Sequence, residues 1–296
     1  MKRSRSHKKA LYGVLFVLAL LLIAVAVRAY VTTYNSERED EDDLYAESYE
    51  AAGFAGAEAA YQGLPEASPV AGSVKVPIII YHSVRPYIPN EDALQDAYDV
   101  TPELLESELA YLKNNGYTAI SLDQLELLAS GATTTPSKPV VLTFDDGWRN
   151  QYKYAFPLLK KYGDTATFYI YTNPIVHNLP HYLTWDMVRE MDASGMTIAS
   201  HTLTHPYLSK LTPEELRKEI QGSKILIEEN LGKPVKHFAS PFGYTNAEIQ
   251  GIVKDAGYET ARTTYKGIYH SKDDLLKLTG ILAGDSLSGF VKSLGN

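Results

Sequence analysis

Pro139-Val140-Val141-Leu142-Thr143-Phe144-Asp145-Asp146-Gly147 is the stretch on which the fold turns. Its first six residues are apolar or β-branched without alternation. That is the pattern of a strand covered on both faces, as in a parallel sheet. The strand then runs into two adjacent carboxylates, followed by a glycine that lets the chain turn sharply. Carboxylates at the end of a buried strand are costly unless something positive sits beside them. A cation there would let one carboxylate coordinate while the other stays free as a base. An Asp-Asp-Gly turn capping the next helix would use the same letters.

Outward from this stretch, strand-like and helix-like runs alternate from about Val74 to Asn296. Upstream lie a strand at Val76–Tyr81, a helix at Pro102–Asn115 capped by Thr101, a strand at Tyr117–Ile120 and a short helix at Asp123–Ser130. Downstream come a helix at Asn150–Tyr162, a strand at Thr165–Tyr171, a helix at Thr184–Ser194 and a strand at Met196–Ser200. A long helix, Thr212–Leu231, opens on Thr212-Pro213. Lys236–Ser240, Ala247–Ala256, Tyr258–Ala261, Leu276–Leu282 and Ser286–Leu294 continue the rhythm. Such β-α alternation predicts an α/β fold built on a parallel sheet, open or closed.

Three further motifs fall at predicted strand ends. His201-Thr202-Leu203-Thr204-His205 follows Met196–Ser200, and two His four residues apart share one face of a helical turn. In a parallel α/β barrel all strand C-termini lie on one face, so Asp145, Asp146, His201 and His205 would converge. One carboxylate and two imidazoles leave coordination positions open for water and substrate. Ala239-Ser240-Pro241-Phe242-Gly243-Tyr244 forms a tight loop whose N–H groups could face an oxyanion. Tyr81-His82-Ser83 puts an imidazole at the end of the first strand, with a near-neutral pKa suited to general acid work.

Thr143-Phe144-Asp145-Asp146-Gly147 and His201-Thr202-Leu203-Thr204-His205 resemble the first two motifs of the polysaccharide deacetylases, the NodB-homology domains of carbohydrate esterase family 4. The resemblance spans roughly residues 74–296. It implies a distorted (β/α)7 barrel and metal-dependent removal of N-acetyl groups from N-acetylglucosamine-containing polysaccharide, peptidoglycan or poly-N-acetylglucosamine. It further implies Asp145 as general base, with Asp146, His201 and His205 as ligands of a divalent metal. Zn2+ suits that set, and Co2+, Ni2+ or Mn2+ could take the same ligands. Two features depart from commoner members. Ala239 stands where their third motif has an arginine that contacts the base, although the N–H of Phe242 can still serve the oxyanion. Residues 278–285 contain no His where their last motif supplies the general acid. The sequence resembles most the poly-N-acetylglucosamine deacetylase-like subgroup, whose first strand ends in Tyr-His and whose motif order is permuted. That likeness assigns the acid to His82, with His237 and His270 as alternatives.

The first 73 residues are of a different kind. Residues 1–31 carry Lys2, Arg3, Arg5, Lys8 and Lys9 ahead of 18 uncharged residues, Ala10–Val27. This predicts a single-pass transmembrane anchor with a cytoplasmic N-terminus and everything after Tyr30 outside. Cleavage near Ala24-Val25-Ala26 would instead release a secreted protein. Residues 32–73 hold ten acids against one Arg, then Ala, Gly and Pro, and read as a flexible linker. The net charge of −8 divides as +6, −9 and −5 over anchor, linker and domain, which argues against nucleic acid as a partner. With no cysteine, disulfides, thiolate metal sites and a Cys nucleophile are excluded. A glycan is the expected partner, with the membrane reached through the N-terminal helix; no sequence feature names a protein partner. Two rival readings are a glycan-binding pseudoenzyme, suggested by the two departures, and a scaffold recruiting partners through its acidic linker.

Overall fold

The computed structural model describes residues 72–88, 98–132 and 136–295, all within the second of two units, Ala60–Asn296. The predicted anchor and nearly all of the linker lie outside them. Among the described residues no helix is long and apolar enough to cross a membrane.

Seven segments form the central sheet: β1 Ile78–Tyr81, β2 Pro139–Phe144, β3 Thr167–Ile170, β4 Thr197–Ser200, β5 His237–Ala239, β6 Thr260–Arg262 and β7 Ile281–Leu282. All neighbours pair in parallel, in the order β6-β5-β4-β3-β2-β1-β7. The chain entering β7 also meets the opposite edge, because Leu278 bridges Arg262 in parallel. Leu278 N donates to Ala261 O at 2.8 Å, and Ala283 N donates to Ile80 O at 2.8 Å. The stretch from Leu278 to Ala283 therefore bonds to both edge strands and closes the circuit. Gly280 permits this, since a Cβ there would lie 2.8 Å from the Ile80 side chain. A further short strand, Thr118–Ala119, pairs with the start of β2.

Side-chain alternation along these strands builds two apolar layers. Ile78, Val141, Tyr169, Ala199 and Ala239 share the inner cluster with Leu278. Ile79, Leu142, Phe168, Ile198 and Phe238 face the helical layer. That layer comprises α1 Pro102–Asn114, α3 Phe156–Tyr162, α4 Thr172–Val176, α5 Trp185–Ala193, α6 Pro213–Leu231, α7 Ala247–Asp255 and α8 Leu287–Ser293, while α2 Leu122–Ala129 packs Leu122, Leu125 and Leu128 into the inner cluster. Helix α1 buries Leu105, Leu109 and Leu112, at roughly 1.5–3 kcal/mol each. Its start is fixed by Thr101 Oγ1, which accepts from Leu104 N. Thr212 and Glu215 form a reciprocal capping box on α6.

The helix expected over Asn150–Tyr162 is divided. Gln151–Ala155 is a π-helical turn, and α3 begins at Phe156. Pro157 has no N–H to continue the α-helical ladder, so the helix restarts with proline in its first turn. The His201–His205 segment is not a helical turn either. It is irregular, with Thr202 at φ 77° and His205 at φ 58°.

Candidate active site

Every predicted site residue lies just beyond the C-terminal end of a parallel strand. His82 follows β1, Asp145 and Asp146 follow β2, and His201 follows β4 with His205 four residues on. Phe242 lies three residues beyond β5. Parallel strands deliver these loops to one rim.

The Asp146 carboxylate and the His201 and His205 imidazoles each offer a ligand atom within 4.8 Å of the others. Asp146 Oδ1 is 3.7 Å from His201 Nε2 and 3.4 Å from His205 Nε2. Its other oxygen, Oδ2, accepts from Trp148 Nε1 at 3.1 Å. Oδ1 itself is buried and has no hydrogen-bond partner. His201 Nδ1 lies 2.8 Å from the Ala239 carbonyl, an acceptor only, so the ring proton sits on Nδ1 and the Nε2 lone pair faces Asp146. Burial drives the pKa of both His201 and His205 down to about 4, with His205 a further cause for His201. Two neutral imidazoles and an orphaned carboxylate oxygen fit a divalent cation.

The loop between the two imidazoles is held from helix α6. Glu219 accepts from Leu203 N at 2.9 Å, Thr204 N at 3.0 Å and Thr204 Oγ1 at 2.8 Å. Such a clamp is needed because the loop is strained. Among the described residues, five non-glycines have positive φ, and four of them belong to this site: Asp146, Thr202, His205 and Phe242. Each costs of order 1–3 kcal/mol unless its surroundings enforce it.

Asp145 is buried beside Arg262, the last residue of β6, whose Nη2 donates to Asp145 Oδ2. Burial raises the Asp145 pKa, but Arg262 and the nearby imidazoles outweigh it and hold the carboxyl below its usual range. Asp146 has no such guanidinium, and burial raises its pKa. The two adjacent carboxylates are thus driven in opposite directions by their neighbours. His82 Nε2 lies 3.8 Å from Asp145 Oδ2, and its ring meets Tyr98 edge-on with centroids 5.0 Å apart.

The third loop folds under constraint. Phe242 and Gly243 both take left-handed φ, 56° and 72°. A Cβ on Gly243 would strike Thr264 Oγ1 at 1.8 Å and its backbone N at 2.5 Å, so no other residue fits. The Phe242 ring packs edge-on to His205 at 4.7 Å and stacks on Tyr207 at 3.9 Å. Trp148 stacks on Tyr182 at 4.6 Å, and Tyr171 contacts both Tyr182 and His205. The imidazoles and carboxylates therefore lie between aromatic walls.

The polysaccharide deacetylase family model matches residues 132–261, which include β2, β4, β5 and the loops that follow them. BA0330 of Bacillus anthracis superposes with a TM-score of 0.66 at 30% identity, over 75% of this chain and 69% of that one. The chain belongs to the polysaccharide deacetylase family. Its fold also matches the Streptococcus pyogenes deacetylase PplD, solved in complex with acetate, with a TM-score of 0.70 at 28% identity over 75% of this chain and 99% of that one. The poly-beta-1,6-N-acetyl-D-glucosamine N-deacetylase of Escherichia coli K12 is 25% identical over 73% of this chain, and the chain spans 38% of that protein's length. As a member of this family the chain is a hydrolase, a polysaccharide deacetylase.

Within that family, the arginine missing at position 239 has a counterpart from another strand. Arg262 occupies the space beside Asp145, while Ala239 contributes its carbonyl to His201. The strand expected over Tyr258–Ala261 stops one residue short of Arg262, and in Tyr258-Glu259-Thr260-Ala261-Arg262 nothing distinguishes that arginine from a surface charge at a strand end. Glu219 and Gln151 are not marked by the sequence, since a polar residue on a helix reads first as a solvated face, and Trp148, in the turn after Gly147, carries no sign of its bond to Asp146. The two alternative acids lie at the other end of the barrel. His237 begins β5 and pairs with Thr260 Oγ1 at 2.9 Å, and His270 is buried against the Val76 carbonyl at 3.0 Å.

Proposed function

We propose that this chain removes N-acetyl groups from an N-acetylglucosamine-containing polysaccharide, with Asp146, His201 and His205 holding a divalent cation. The observation that carries the reading is the buried, unpartnered Asp146 Oδ1 facing two neutral imidazoles. When bound, the cation supplies Lewis acidity toward water and the acetamide carbonyl. Asp145, ionised by Arg262, accepts the proton of the attacking water. The Phe242 N–H, in a loop fixed by Gly243, is the donor for the developing oxyanion. His82 donates a proton to the departing amine, which leaves as a glucosamine unit while acetate carries away the acyl group. The aromatic walls offer stacking surface for sugar rings. Zn2+ suits the ligand set best, with Co2+, Ni2+ and Mn2+ as alternatives.

The substrate we favour is peptidoglycan or poly-N-acetylglucosamine, the second supported by the activity named for the Escherichia coli relative. Residues 1–31 would anchor the protein in the cell membrane, and the linker of residues 32–73 would give the domain beyond it a reach of about 35 Å. The described chain enters through a short strand, Val74–Lys75, paired with Tyr269–His270 at the N-terminal ends of the barrel strands. The site opens at the other end. The presence of Arg262 beside Asp145 weighs against a pseudoenzyme.

Metal analysis tests the assignment. The purified protein should hold one divalent ion, and Asp146→Ala, His201→Ala and His205→Ala should each lose both the ion and acetate release. Full occupancy in any of these variants would remove that residue from the ligand set.

A further inference from the structure

We infer that Gln151 is a positioning residue that fixes the spacing between His82 and Asp145. The inference rests on the acid and base roles proposed above and assigns a third group to control them.

The argument begins where the β1–β2 ladder ends. Tyr81 pairs with Phe144, and Asp145 N donates to Tyr81 O at 2.9 Å. The next rung of a parallel ladder would run from Ser83 N to Asp145 O. Ser83 N instead donates to Tyr98 O. The two chains thus separate at His82 and Asp145, and the rung that would have tied them is absent.

Gln151 supplies it. Its Nε2 donates to His82 O at 2.7 Å and to Asp145 O at 2.5 Å. Both partners are carbonyls and can only accept, so the amide orientation is determined by chemistry: the NH2 must face them. One side-chain amide thereby uses both of its protons to join the backbones of the two residues whose side chains lie 3.8 Å apart. The adjacent Asn150 extends the same tie. Its Oδ1 accepts from Val84 N at 3.2 Å, and its Nδ2 donates to Ser83 Oγ at 2.9 Å.

Two signs of cost accompany this arrangement. Gln151 is fully buried, yet its Oε1 has no hydrogen-bond partner. A buried polar atom left unpaired is a penalty that a leucine or methionine of the same size would avoid. Gln151 also begins the π-helical turn, a widened geometry that often accompanies functional sites. A purely structural residue in this interior would gain from being apolar; the amide is explained by the two carbonyls it holds.

The test uses the full-length, metal-loaded protein with Gln151→Met, which keeps the length and removes the donors, and Gln151→Glu, which keeps the shape and replaces the NH2. Acetate release from N-acetylglucosamine oligomers gives kcat and KM; bound metal and thermal unfolding are measured alongside. We expect kcat to fall about 10- to 100-fold, as for a displacement of the reacting groups by a fraction of an ångström to an ångström. KM should stay within about threefold and metal content should be unchanged, because neither the ligands nor the aromatic walls are touched. A folded, metal-loaded Gln151→Met with wild-type kcat would overturn the inference, as would loss of folding in both variants, which would make Gln151 a folding determinant only. Asp145→Asn and His82→Ala separate this from failure of the underlying reading. If those two are inactive while Gln151→Met is fully active, the inference alone fails; if they retain turnover, the acid–base reading fails with it.

Discussion

An aspartate buried as deeply as Asp145 would be driven toward its neutral form, and Arg262 reverses that. The guanidinium is itself buried, so each charge depends on the other. Neither half of this pair could be inferred from the other in the sequence, because they are 117 positions apart. The Asp-Asp-Gly motif was readable; its counter-charge required the fold. His82 was readable for a different reason: it is the first residue beyond a continuous apolar strand, so its position on the rim follows from the strand's direction. The role of proton donor proposed for it predicts a dependence on leaving group. His82→Ala should lower turnover of an N-acetylglucosamine oligomer by roughly 10²–10⁴-fold, while an aryl acetate ester, whose phenolate departs without protonation, loses little. Equal losses on both substrates, measured by acetate release, would mean that His82 acts on something other than the leaving group.

At the level of elements, the strand ends were legible and the supports behind them were not. Continuous apolar runs gave β1 and β2 nearly residue for residue, and Thr101, Thr184 and Thr212 were visible as helix starts. The spacing of His201 and His205 fits a helical turn, but the segment is an irregular loop. Two left-handed residues and the Glu219 clamp bring the imidazoles together instead. Glu219→Ala should therefore weaken divalent metal binding about 10- to 100-fold, the usual effect of removing a support behind ligands. Competition with a chelating indicator measures it, and wild-type affinity in a folded variant would show the loop to be self-supporting. Helix α1 carries a second hidden device. Glu108 is fully buried and accepts from Tyr81 Oη at 2.8 Å, and burial raises its pKa to about 8. The folded state thus holds a proton that the unfolded chain releases near pH 4.5. Stability contributed by this proton is complete below that pH and is lost as pH rises toward 8. Glu108→Gln should flatten this decline, followed as denaturation midpoints between pH 5 and 8. A variant whose midpoint falls in parallel with the wild type would place the titration elsewhere.

For the molecule as a whole, β-α alternation announced a parallel sheet but left open whether it closes. Closure depends on Leu278–Ala283, which is only briefly a strand and bonds to β6 through a single bridge and to β1 through β7. Gly280 gives that stretch the room to approach β1. With the circuit closed, residues at or just beyond the C-terminal ends of six of the seven strands meet at one rim, and Val74 falls at the opposite end. The central claim is that this rim hydrolyses acetamides, with Asp145 as its base. Its most direct test is to load the full-length protein and its Asp145→Asn variant with the same divalent metal, and to measure acetate and free amine from defined N-acetylglucosamine oligomers. The wild type should release the two in equal amounts, while the variant keeps the metal and falls by orders of magnitude. Equal release by the two proteins, or no acetate from a metal-loaded wild type on any oligomer of the series, would contradict the account.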